Sequence, residues 1–464
     1  MSETEDHTSS KKDHVSIHIT EKLEKLPDSS YKPSIFRVSD EIRCVNEKLY
    51  KYRPKVLAVG PFYHSNNRLQ KMEQHKFRYL KILLRRRNEQ PSVDEYVMAI
   101  RSLEEEARKC YAEPIHSSSD DFVQMLLLDG IFIIELIRKY LFYEFREDDD
   151  AIFQHEQVFS QLCHDLMLVE NQVPFFVLEK LFSMTKSESL DDNIPYLIQA
   201  FAFHISPWPD AHKNTREVSM ENIDHLLGLV YTIWCSSFAE TSRPDKAEEN
   251  RMWCSSFAKM MACIFGVNKT EEEKILAINS ITELQEAGIK FSKNTQSHFL
   301  DIEFTKGAMK IPRFNVSDAT ESVLKNLIAY EHFFDHKRTK YVTDYAFFWD
   351  FLINSPQDVE ILRQRGIVTN LLDDDKMVSR MFNGLCRNTL MSSHFCYRDV
   401  FNKVNVHCGH RRNRWMANLR HNYFNSPWAF ISFFAALMLL LFTLTQTVFS
   451  VLPYTKSKQC IVFC

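Results

Sequence analysis

Apolar residues recur along this chain in blocks, and the spacing inside each block predicts an element. Leu69, Met72, Leu80 and Leu83 fall near heptad spacing among charged residues, which predicts an amphipathic helix. Arg85-Arg86-Arg87 closes it, a basic last turn that suits the negative end of a helix dipole. Asp120–Leu141 opens on Ser and Asp residues suited to capping and is apolar on nearly every side. Gln124, Asp129 and Glu135 interrupt its apolar runs, so it reads as a central core helix rather than a membrane span. Asp165–Phe182 predicts two helical segments hinged at Pro174, because proline fits a first helical turn and breaks a helix interior. Leu300–Phe304 and Met309–Phe314 flank Thr305-Lys306-Gly307-Ala308 and predict a β-hairpin. Asp318-Ala319-Thr320-Glu321 has the form of a capping box for a helix running through Leu324, Leu327 and Ile328 to Glu331.

The last block is of another kind. Pro427–Leu452 carries no formal charge, and about 25 residues rising ~1.5 Å each reach ~37 Å, enough for a hydrocarbon core of ~30 Å with some tilt. It predicts a single transmembrane helix. Arg411, Arg412, Arg414 and Arg420 precede it and only Lys456 and Lys458 follow, an asymmetry that places the N-terminal side in the cytosol. Arg411, Arg412 and Arg414 form a basic collar suited to anionic headgroups. Met1–Lys32 has no apolar secretory core, and eleven cysteines without a paired framework suit a reducing compartment. The sequons at Asn268 and Asn315 would be glycosylated only in a luminal domain. The span's length suits a plasma membrane or late endomembrane. Gln446, costly in lipid without a partner, suggests self-association through this helix.

Composition sharpens this outline. Nine Gly against 36 Phe, in a chain that is 45% hydrophobic, point to helical packing. The expected fold is mostly α, one large helical domain with at most a small β-hairpin plus the C-terminal transmembrane helix. Residues 1–33 read as a disordered tail, weakly helical around Ile17–Leu26, 34–425 as the domain, 427–452 as the span and 453–464 as a short tail. Trp234-Cys235-Ser236-Ser237-Phe238-Ala239 recurs as Trp253-Cys254-Ser255-Ser256-Phe257-Ala258, which marks 231–278 as a variable segment between two halves. A net charge of −4, from 57 basic and 61 acidic residues, gives no bias toward nucleic acid.

Several words of the sequence belong together. Ile35-Phe36-Arg37-Val38, Gly60-Pro61-Phe62-Tyr63-His64 and Met72-Glu73-Gln74-His75-Lys76 come first. Leu128-Asp129-Gly130, Val169-Glu170-Asn171-Gln172-Val173-Pro174-Phe175 and Asn326-Leu327-Ile328-Ala329-Tyr330-Glu331 follow in order. Together they closely resemble the plant family called domain of unknown function 247, or uncharacterised protein family 0481, from about Ile35 through the final apolar helix. Val169 stands where that family commonly has Leu. The resemblance implies a plant protein with a C-terminal membrane helix and no established activity. Some grass members are associated with self-incompatibility, which raises the expectation of a recognition role.

The candidate chemistry lies in polar groups set among apolar ones: Asp129, Glu170, Asn171, Gln172 and Glu331. A buried carboxylate must find a partner or shift its pKa, and Arg37, Arg43, Arg78 and Arg108 are the natural partners. Two readings follow: a structural network that fixes helix packing, or a cryptic enzyme in which Glu170 and Glu331 act as acid and base with Arg108. Glu73 and Lys76 have the spacing of a surface pair, and His75 is a weak candidate base. Cys396, His407, Cys408 and His410 lack the second spaced pair of a zinc site. No nucleophile elbow, phosphate loop, dinucleotide fingerprint or zinc-protease motif is present, and no cofactor is called for. Asp94-Glu95, Glu104–Glu106 and Asp373–Asp375 read as solvated acidic faces. The expected function is a membrane-anchored interaction or recognition protein, with the cryptic enzyme as the alternative.

Overall fold

In a computed structural model of the protein, the described residues are 13–24, 33–39, 51–87, 91–186, 193–210, 219–220, 222–241, 277–295, 298–333, 338–392, 394–409 and 427–460. Among them the fold is mostly α with a few short strands. The helices of the first half are α1 (His14–Glu24), α2 (Gln70–Arg86), α3 (Val93–Arg101), α4 (Glu104–Lys109), α5 (Ser119–Leu141), α6 (Ala151–Gln154), α7 (Glu156–Leu166), α8 (Phe175–Thr185) and α9 (Ile194–His204). Next come α10 (Leu226–Thr241), α11 (Ile281–Glu286), β1 (Lys290–Asn294), β2 (Glu303–Thr305), β3 (Ala308–Pro312) and β4 (Phe314–Val316). The chain ends with α12 (Thr320–His332), α13 (Tyr341–Leu352), α14 (Pro356–Gln364), β5 (Val368–Asn370), α15 (Asp375–Leu385), α16 (Arg398–Gly409) and α17 (Pro427–Cys460).

The apolar run at Asp120–Leu141 is the central helix α5, as its pattern predicts. Ser118 caps it by accepting the Asp121 N–H, and nearly all its side chains beyond the first turn are buried. Helices α2, α3, α8 and α9 pack around it. At Gly130 a Cβ would lie 2.4 Å from Leu181 Cδ1, so the missing side chain is what lets α8 approach. In the second half, α12, α13 and α15 enclose an aromatic core. Trp208 stacks on Phe299 at 3.9 Å and Trp349 on Phe382 at 5.3 Å. Side chains from both halves join one continuous apolar core, to which α10, at the start of the segment expected to vary, contributes Leu227, Val230 and Trp234. The second copy of the duplicated word lies outside the described residues.

The predicted hairpin forms between β2 and β3, with Phe304 opposite Met309. Its two-residue turn, Lys306-Gly307, has positive φ at both positions (51° and 77°), the conformation whose twist matches the flanking strands. The hairpin is part of a larger sheet: β1 adds parallel to β3, and a separate pair joins β4 to β5. Three-residue strands such as β4 and β5 carry too short a pattern to be read locally.

Two local expectations are corrected. The Val169–Val173 stretch is a loop, not helix, and Pro174 is the N-cap of α8 rather than a residue of its first turn. Asp318–Glu321 forms no capping box: Ala319 is the N-cap, and the Thr320 hydroxyl instead accepts the Ser317 N–H at 2.9 Å. At the C-terminus, α17 includes Ile431–Phe449, 19 residues with mean hydropathy 2.0 and none buried against the rest of the protein. This helix is long and apolar enough to cross a membrane.

Candidate functional site

Two of the predicted polar residues, Asp129 and Asn171, meet with Asp165 and Lys76 at an irregular segment, Lys55–Gly60. Its backbone groups still need partners once buried, and side chains supply them. The Asp165 carboxylate accepts the N–H groups of Lys55, Val56 and Leu57 at 2.9, 2.8 and 2.9 Å. Asn171 Oδ1 accepts from Val59 at 2.7 Å and Asp129 Oδ2 from Gly60 at 2.8 Å. The carbonyls are met as well, Leu57 by Asn171 Nδ2 at 3.0 Å and Ala58 by Lys76 Nζ at 2.7 Å. Gly60 adopts φ +70°, and a Cβ there would sit 2.4 Å from the Gln172 carbonyl oxygen.

The loop after α7 is pinned by the same residues. Glu170 accepts the Val38 N–H at 2.7 Å and the Tyr63 hydroxyl. Gln172 donates to Leu166 and Leu168 carbonyls, both at 2.8 Å, and accepts the Leu227 N–H at 3.2 Å. Asn326 on α12 accepts the Val169 N–H at 3.0 Å, so the brace reaches into the second half. Glu331 stands apart, accepting from Val342, Thr343 and Tyr231. Burial raises its carboxyl to about 7, against the pull of these donors.

The cation at the centre is not one of the expected arginines. Lys76 is fully buried and pairs with Asp129 and Glu73, both at 2.5 Å. Burial disfavours its charge, but the two carboxylates more than offset this and raise its pKa. The surface-pair reading of Glu73 and Lys76 is therefore corrected. Lys76 falls on the same helix face as Met72, Tyr79, Leu80 and Leu83, a sign that was present in the sequence. Arg108 pairs with Glu104 at 2.9 Å, bonds the Ile115, Ser117 and Ser118 carbonyls, and lies over the Phe122 ring. Arg37 pairs with Glu113 and Arg78 with Asp149. Arg43 lies outside the described residues.

A family model described as plant protein of unknown function, DUF247, matches residues 35–442. The chain belongs to this family. A UPF0481 protein of Arabidopsis thaliana is 29% identical over 439 residues, covering 92% of this chain and 87% of its own. A putative UPF0481 protein of the same plant is 23% identical over 482 residues, covering 89% of each. No solved structure matches.

In this DUF247 chain one arrangement has the outline of a catalytic relay. His164 Nδ1 lies 3.0 Å from Asp165 Oδ1 and His164 Nε2 lies 2.9 Å from Ser322 Oγ. A nucleophilic serine must meet substrate and pass its proton to the imidazole. Ser322 is only 1% exposed, its hydroxyl lies 2.7 Å from the Lys51 carbonyl, and Asp165 is already engaged by three backbone N–H groups. The three side chains bolt α7, α12 and the segment that begins at Lys51 together. Neither this set nor Asp129, Glu170, Asn171, Gln172 or Glu331 converges on an open cavity. Of them only His164 borders one of the cavities of about 450, 600 and 730 Å³ lined by described residues.

The remaining candidates disperse. Cys396 faces Asp344 at 3.0 Å, while the His407 ring packs on Phe304, and no metal-holding group of three is found among the described residues. Half-buried His75 lies beside the brace rather than in it. The acidic runs help start helices: Glu95 completes a capping box with Ser92, and Asp374 caps α15. Asn315 sits in β4, its N–H donating to the Pro207 carbonyl. Arg411, Arg412, Arg414, His410 and Asn268 lie outside the described residues. In α17 the hydroxyls of Thr443, Thr445 and Thr447 bond back to carbonyls of the preceding turn, which satisfies them inside the helix.

Proposed function

We propose that this protein is a membrane-anchored recognition protein: a rigid α-rich head that presents its surface to partners while α17 holds it in a bilayer. One observation carries the reading. Ile431–Phe449 buries nothing against the head, so in water this apolar surface would lack any cover, whereas in lipid it needs none. The interior polar groups support the same view, since the sealed and paired carboxylates and amides serve rigidity rather than turnover. The basic collar at Arg411, Arg412 and Arg414 favours a cytosolic head on a plasma or internal membrane. Gln446 favours pairing of two spans within the bilayer.

The test is membrane extraction followed by protease protection in intact microsomes. The protein should stay with the membrane in carbonate, and protease added outside should digest the head. Release in carbonate refutes the anchor. Protection of the head, with a glycan at Asn268 or Asn315, keeps the anchor and reverses the orientation.

A further inference from the structure

A cavity of about 730 Å³ lies between α7, the end of α9 and the first turn of α12. It belongs to no part of the brace except that His164 touches its wall. Its volume falls within the range that takes a drug-sized organic ligand, which is ~300–1,000 Å³. One wall is aromatic. Tyr140 stacks on Phe159 at 5.1 Å, Phe153 meets Phe159 at 5.2 Å, and the His204 ring lies 4.5 Å from Tyr140. Flat faces held at these spacings favour a flat guest.

The polar element is Arg146. Its guanidinium is clamped between two rings, 3.9 Å from the Tyr143 centroid and 4.4 Å from that of Phe153. It is held further by bonds to the Lys139 and Tyr140 carbonyls. None of the described carboxylates pairs with it. Of the acids that follow it in sequence, Glu147 and Asp150 pair with Lys139 and Asp149 with Arg78, while the exposed Asp148 pairs with no described cation. Glu156 also borders the cavity without forming an ion pair with it. A rigid guanidinium without a carboxylate, beside stacked rings, is a preorganised receptor for a planar anion. Ser160, Ser206, Asn315 and Thr320 offer further hydrogen-bonding groups along the wall.

From this geometry we infer that the cavity binds an aromatic carboxylate, its ring stacked among Tyr140, Phe153 and Phe159 and its carboxylate on Arg146. The inference goes beyond the anchoring role and does not depend on it, since the head would hold such a ligand whatever its orientation at the membrane.

Titration of the full chain in detergent micelles with fluorescent 2-naphthoate tests it, with neutral 2-naphthamide as the matched control. Micelles alone are titrated in parallel and subtracted. Saturable naphthoate binding at least tenfold tighter than naphthamide is expected. Arg146→Gln should abolish that preference, and Ser160→Trp, an exposed wall position, should block both probes. If Arg146→Gln fails to melt cooperatively, the preference of the unaltered protein and the Ser160→Trp block still decide. Equal binding of the two probes, no saturable binding up to millimolar naphthoate, or undiminished binding to Ser160→Trp would each overturn the assignment.

Discussion

Replacing Lys76 with Met keeps the length of the side chain and removes the cation at the centre of the brace. Asp129, 1% exposed, would then retain only the Gly60 N–H, and the Ala58 carbonyl would lose its donor. Breaking a buried pair from one side costs about 3–5 kcal/mol, because the other charge is left without compensation. For a head of this size that corresponds to a melting temperature lower by roughly 4–6 °C. Burial already raises the Asp129 carboxyl against the pull of Lys76. Without the lysine that pull disappears, so the folded-state pKa rises further above the unfolded one. A carboxyl raised in this way loses stability as pH increases, so the deficit should be larger at pH 8 than at pH 5. The double variant Lys76→Met/Asp129→Asn removes both charges and keeps an acceptor for Gly60, so it should recover more than half of the loss. Urea unfolding in micelles, followed by circular dichroism at both pH values, measures all of this. A single variant within about 1 kcal/mol of the parent, or a double variant no better than the single, would refute the reasoning.

Three further outcomes are expected. Glu331, raised from 4.5 to about 7 in the folded protein, favours the fold fully only below its unfolded pKa. Stability should fall by about 3 kcal/mol as pH rises from 4.5 through 7, and the slope should be absent in Glu331→Gln. Gly60→Ala places a Cβ at 2.4 Å from the Gln172 carbonyl at a positive φ, so a loss of about 2–4 kcal/mol or failure to accumulate folded protein is expected, read by thermal melting. A fluorophosphonate probe should leave Ser322 unmodified in the native chain; stoichiometric labelling seen by peptide mass spectrometry would restore the enzyme reading.

How far the sequence reached depends on the range of each interaction. Local periodicity was enough for α2 and α5, for the β2–β3 hairpin, though its expected connection Thr305–Ala308 tightens to the two-residue Lys306-Gly307 turn, and for the apolar span in α17. It also singled out Asp129, Glu170, Asn171, Gln172 and Glu331, because a polar residue inside an apolar run must be paired. It did not reveal what pairs them. Asp129 meets a lysine 53 positions away and Asn171 a backbone 112 positions away, and no pattern within a window encodes such distances. Asp165 was passed over for the same reason: it reads as an ordinary helix-end residue until three N–H groups from Lys55–Leu57 arrive around it.

The chain by itself therefore determined the class of fold, the family and the capacity of one helix to enter lipid, since each rests on composition or on order along the sequence. Only the tertiary structure decided that the acidic cluster is a sealed brace. Exposure and hydrogen-bond saturation belong to packed surfaces and exist only once distant segments have met. The same holds for the clamped Arg146 and its aromatic wall. Their residues stand at unremarkable positions, and folding alone leaves that guanidinium beside an open cavity and paired with none of the described carboxylates.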